Sequence, residues 1–145
     1  MAFLFALATV MRVRESIEQR EECALQKIQL EMARVARQIE ELTEAMAKAH
    51  VAREQALKRT LPGGELQSML WQVQTAVEGK KTLLVTLQGL EEMRLQQMKV
   101  YQAAHRDHET MINMCNEQRE VYEIEQARSQ QKYLDDIFMA RRHRG

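Results

Sequence analysis

The sequence predicts an all-α protein in which two long helices form an antiparallel coiled-coil hairpin, the second helix longer than the first. Three observations predict it. Strong helix formers dominate a composition that is 45% apolar and 29% charged but only 5% aromatic. Apolar residues recur at alternating steps of three and four. The single proline and two of the five glycines fall together in "LPGG" at 61–64. At 145 residues the chain is read as one coiled-coil hairpin domain over 1–145.

The first helix is expected over about residues 3–60, since no Pro or Gly interrupts residues 1–61. From Leu25 its apolar row runs through Ile28, Met32, Val35, Ile39, Leu42, Met46 and Ala49, a heptad seam. Upstream the row slips by one residue to Ala24, Ile17, Val10, Leu7 and Phe3. Leu4, Phe5, Ala6 and Ala8 add apolar surface outside that row. A helix apolar all round must be buried all round, so something should enclose this end. The same run lacks a positively charged leader, and about ten apolar residues are too few to span a bilayer. A soluble protein with no direct membrane insertion is therefore expected.

The turn is expected at 61–64. Lys58 and Arg59 suit the negative end of the first helix dipole. Pro62 cannot continue that helix, and Gly63 or Gly64 can take the left-handed conformation that ends it. Glu65 suits the first turn of the next helix.

The second helix is expected over about 65–142. Its row runs Leu66, Leu70, Val73, Val77, Lys80, Leu84 and Leu87. Leu90 then follows after three residues, a stammer that should overwind the coil. The row continues through Arg94, Gln97, Tyr101, Ala104, His108, Met111 and Cys115, three of them polar. That half should pair more weakly or meet a different partner.

A reversal centred between residues 62 and 63 sets a register in which partner numbers sum to roughly 125. Phe3 then faces the neighbourhood of Tyr122, and residues beyond about 123 overhang. The paired length is about 80–90 Å, with an overhang of ~30 Å. Cys23 lies opposite Gln102 and Cys115 opposite Val10, so the only two cysteines stand ~20 Å apart and cannot reach the ~6 Å of a disulfide. Gly79 and Gly89, each costing about 1 kcal/mol in a helix, would allow close approach opposite Met46 and Ala36, or soften the helix.

Little in the sequence carries catalytic or cofactor chemistry. "HRDH" at 105–108 sets two histidines three apart on one face, but zinc needs further ligands, and Cys115 is two turns away. Asp135 and Asp136 point ~100° apart and cannot act as a paired set. "PGGE" lacks the Lys-Ser/Thr of a phosphate loop. No catalytic, metal or cofactor residue is assigned. Lys plus Arg and Asp plus Glu balance at 21 each, which disfavours nucleic acid as a partner. The basic "ARRHRG" close suits a helix C-terminus and has no aromatic platform beside it. What remains is surface for protein partners: the apolar start, and Tyr133, Leu134, Ile137, Phe138 and Met139 in the overhang.

The opening "FALATVMRVRESIEQRE", the Pro/Gly turn after about 60 residues and the closing "EQARSQQKYLDDIFMARRHR" together resemble the FliJ family. That family is the small coiled-coil component of bacterial flagellar type III export. The likeness covers the length and layout of the chain, although "HRDHETMINMCNEQ" departs from the family's pattern. It implies a fold similar to the stalk of the F1-ATPase γ subunit. It also implies a non-enzymatic stalk whose terminal end inserts in a hexameric export ATPase, FliI, promoting ring assembly and ATP turnover. Contacts to the export gate protein FlhA and to export chaperones follow from the same likeness. So does a cytoplasmic location, peripheral to the inner membrane.

The implied ATPase interface is Phe3, Leu4, Phe5, Leu7, Val10, Leu134, Ile137 and Phe138. The implied gate contact, aligned by heptad phase, is Met69, Val73, Ala76 and Lys80, which could equally pack on the first helix. Other readings of the same layout are the stalk of a virulence injectisome, a coiled-coil holdase chaperone, and a dimer paired in trans.

Overall fold

The computed structural model describes residues 3–59 and 62–144. Two helices form an antiparallel coiled-coil hairpin: α1, Ala8–Leu57, and the longer α2, Gly63–Arg144. Helix α1 starts later and ends earlier than expected from about 3–60. The first five described residues are not helical: Phe3–Phe5 are irregular, and a turn at Ala6 and Leu7 leads into α1. The Ala8 amide donates to the Phe5 carbonyl at 3.1 Å, and the Met11 amide to the Leu7 carbonyl at 2.9 Å. The apolar opening is therefore no helix that must be enclosed on every side.

Helix α1 ends with turn bonds from Lys58 to Gln55 and from Arg59 to Ala56. Helix α2 then begins at Gly63, directly after Pro62. The proline carbonyl accepts from the Glu65 amide at 3.1 Å, and Glu65 places its negative charge in the first turn. Gly63 and Gly64 are thus the first residues of α2, not a left-handed cap. No described residue has positive φ. Proline sets the start of the helix because its fixed φ is compatible with helix entry and its missing N–H needs no partner there. Leu61 of the expected turn lies outside the described residues.

The chain divides into two units, residues 22–100 and residues 1–21 with 101–145. In the first unit Leu25 and Val35 are buried, Val35 at 1% exposure. Gly79 faces Leu42, not Met46: a Cβ on the glycine would stand 3.5 Å from Leu42 Cδ2. The partner of Gly79 is thus four residues from the one expected in this unit, whereas Phe3 meets Tyr122 as the expected register has it. Gly89 has open space at its Cβ, so no close approach requires it.

In the second unit Phe5, Ala104 and Cys115 are buried. Phe3 meets Tyr122 with ring centroids 5.5 Å apart, and the Arg119 guanidinium lies 5.4 Å from the Phe3 ring centre. Both cysteines are free, Cys23 exposed and Cys115 buried.

A row of half-buried and buried residues on α2 runs 66, 69, 73, 76, 80, 83, 87, 90, 94, 97, 101, 104, 108, 111 and 115, with 77, 79, 91, 98 and 114 half-buried beside it. That is unbroken alternation of three and four, with no stammer. Met69 and Leu83 take the inner positions expected for Leu70 and Leu84, while Ala76 and the expected Val77 are both half-buried. Leu70 and Leu84 are nearly half exposed. On α1 the row likewise continues without a slip, from Leu25 through Glu21, Glu18, Arg14 and Met11. Leu25, Glu18 and Met11 thus hold the seam positions expected for Ala24, Ile17 and Val10, with Glu21 and Arg14 as the polar residues between them. Ile17 and Ala24 stay half-buried beside it, and Val10 is exposed.

Candidate functional site

The polar part of the seam is built from Arg14, Glu18 and Glu21 on α1 and from the 101–108 segment of α2. Heptad spacing alone puts Glu18 on the inner face, where its side chain is only 15% exposed. A carboxylate there needs partners, because burying a charge without them is costly. His105 Nδ1 lies 2.7 Å from Glu18 Oε1, and His108 Nδ1 lies 2.5 Å from Glu18 Oε2. The two histidines, three apart on α2, thus close on both oxygens of one carboxylate. Arg14 Nη1 reaches Asp107 Oδ2 at 3.2 Å, adding a second cross-helix pair beside it.

His105 carries a further acidic neighbour, with Nε2 at 3.7 Å from Glu109 Oε2, and stacks at 6.1 Å on Tyr101. The hydrogen bond with Glu18 holds the His105 imidazole above its ordinary 6.5; the charges of Glu18 and Glu109 act the same way and desolvation opposes them. The bond with His105 in turn holds the Glu18 carboxyl below its ordinary 4.5, with desolvation opposing and His108 adding to the lowering. Arg94, another polar residue on the α2 row, is satisfied within its own helix by Glu91 at 2.6 and 3.0 Å.

Sequence reading identified the pair of histidines but missed Glu18, because its partners lie on the other helix. The signal was present in the 18-to-25 spacing, which keeps Glu18 in phase with Leu25. Among the described residues no group of three His, Cys, Asp or Glu could hold a metal ion.

The sites expected from the family likeness are distributed differently. Phe5 is buried at 8% exposure, Leu4 is 88% exposed, Val10 is exposed, and Phe3 and Leu7 are half-buried. On α2, Leu134 and Phe138 are exposed and Ile137 is half-buried, with Tyr133 and Met139 adding exposed apolar surface. Beyond Tyr122 only Gln126 and Ile137 are half-buried; every other described residue is exposed.

Met69, Val73, Ala76 and Lys80 are each half-buried and fall on the inner row of α2. Trp71, at 68% exposure, points away from that row. A trough of about 520 Å³ beside Gly89 is lined by Ile28, Met93 and Val100 among others.

No family model, curated protein or solved structure matches this chain. The two-helix hairpin is what the fold itself supplies. Among the described residues no helix is long and apolar enough to cross a membrane.

Proposed function

We propose that this chain is a non-enzymatic stalk and adaptor of a flagellar type III protein export apparatus. In this reading its terminal end inserts in the hexameric export ATPase and promotes assembly and ATP turnover. The same protein links the ATPase to the export gate and to export chaperones, in the cytoplasm beside the inner membrane. The observation that carries the reading is the close of α2. It continues past Tyr122 as a helix with Tyr133, Leu134, Phe138 and Met139 exposed, and ends in Arg141, Arg142, His143 and Arg144.

Large exposed apolar side chains grouped on one helix mark a surface for a protein partner. Hot spots of such surfaces are enriched in aromatic residues and arginine, which this segment supplies together. The resemblance of both ends of the sequence to the FliJ family supports the identity of the partner. Gate binding through Met69, Val73, Ala76 and Lys80 would use side chains whose inner halves are already covered.

The test mixes the whole chain with the export ATPase and measures hexamer formation and ATP hydrolysis. Both should rise, and Phe138→Ser should diminish the rise while the chain stays helical. No effect of the native chain on either quantity, with both proteins folded, removes this reading.

A further inference from the structure

The cluster around Glu18 has a feature that family likeness does not account for. His105 has a carboxylate on each ring nitrogen, Glu18 at 2.7 Å on Nδ1 and Glu109 at 3.7 Å on Nε2. A neutral imidazole carries one N–H and can serve only one of these acceptors. The imidazolium donates to Glu18 and turns its other N–H toward the Glu109 charge at ion-pair distance, so both carboxylates favour the protonated ring. The two acids also come from different helices. Glu18 belongs to α1, whereas Glu109 follows His105 by one turn on α2. A proton on His105 is therefore held from its own helix and spent on the contact with the other.

We propose that Glu18, His105 and His108 form a proton-operated latch: proton uptake at His105 fastens the 8–21 segment of α1 to α2, and proton release loosens it. Protonation adds the attraction of a full positive charge to a bond that a neutral imidazole also makes to the same carboxylate, which gives the latch its contrast.

The surroundings of the cluster favour this use. Near Glu18 on α1 stand Arg14, Glu15, Arg20, Glu21 and Glu22, three acids against two arginines. Arg14 pairs with Asp107 across the helices, and Glu21 pairs with Arg20 at 3.3 Å. On α2 the neighbours of His105 are Arg106, which reaches back to the Gln102 carbonyl, and Asp107, His108 and Glu109. Glu18 and His108 sit at seam positions where a coiled coil normally keeps apolar residues, and His105 closes on the same carboxylate from the exposed flank, so the contact adds to the pairing of this segment at a point without apolar packing. Histidine is the side chain whose charge changes across neutrality, where such a latch would work.

The experiment uses the whole chain. The imidazole resonances of His105 are titrated by NMR. Amide hydrogen exchange over 12–21 is followed at about pH 6 and about pH 8, corrected for intrinsic rates. In the native chain, protection of these amides should fall between the lower and the higher pH, while amides at 27–35 hold theirs. Glu18→Gln should lower the His105 midpoint and abolish that pH-dependent loss. Glu109→Gln leaves the cross-helix contact in place and should also lower the midpoint. Loss of 12–21 protection at both pH values in Glu18→Gln supports the latch. A His105 midpoint unmoved by Glu109→Gln, or native protection that does not change with pH, overturns the proposal.

Discussion

Phe3 and Tyr122 meet with ring centroids 5.5 Å apart and planes tilted by 50°, although Phe3 lies outside α1. The Arg119 guanidinium, 5.4 Å from the centre of the Phe3 ring, completes the contact. This irregular opening segment is therefore fastened to α2 by an aromatic pair and a cation over a ring. Such a pair contributes about 0.5–1.5 kcal/mol beyond the area it buries. A double-mutant cycle of Phe3→Ala and Tyr122→Ala, read by urea unfolding, should give a coupling of about 1 kcal/mol. A coupling near zero would show that the rings do not hold the segment.

Leu83 and Leu84 offer a test of seam phase, since they are the same residue type side by side. Leu83 is on the half-buried row, and Leu84 is 46% exposed. Leu83→Ala should cost about 2 kcal/mol, the low end for a buried leucine, and Leu84→Ala less than about 1 kcal/mol. The reverse order in denaturant midpoints would restore the stammer.

The pH dependence of stability follows from the two shifted groups. His105 is raised above 6.5, so its contribution is fully present below 6.5 and is lost as pH rises through the folded value. Glu18 is lowered below 4.5, so its contribution is present above 4.5 and is lost as pH falls through the folded value. Both operate between 4.5 and 6.5. Thermal unfolding of the native chain and of Glu18→Gln should differ most in that window and converge on either side. A difference that is constant with pH would mean that Glu18 acts by packing alone.

The helical hairpin was legible in the sequence because heptad spacing and one cluster of helix breakers are local signals. Seam phase was less legible, for a physical reason. At 69/70, 76/77 and 83/84 both neighbours are apolar, so hydrophobicity does not choose between them. Alternating steps from Leu66 fit Met69 and Ala76 as well as Leu70 and Val77, and burial favours Met69 over Leu70 while leaving both Ala76 and Val77 half-buried. On α1 the apolar Ile17 drew the expected seam away from Glu18. Only α2, with His105 and His108 opposite, makes a carboxylate acceptable at that position. The spacing to Leu25 marks Glu18 as inward-facing, but its pairing was not legible because a single helix does not display the partners of its own inward charges.

Gly79 and Gly89 lead to a last prediction, because the reason for a glycine in a helix is either space or backbone freedom. Neither residue has positive φ, so backbone freedom is not used. A Cβ at Gly89 would meet nothing within 4 Å, and one at Gly79 would touch Leu42 Cδ2 at 3.5 Å, an ordinary van der Waals contact. Alanine fits both sites and avoids the entropy that glycine loses on folding, a gain of about 0.5–1 kcal/mol at each position. The added methyl at Gly79 also gains contact with Leu42, so Gly79→Ala should stabilise at least as much as Gly89→Ala. Midpoints of thermal unfolding for the two single variants and the double should rise additively, since the sites are ten residues apart on one helix. Destabilisation by Gly79→Ala would show that the helices approach more closely there than the Leu42 contact implies.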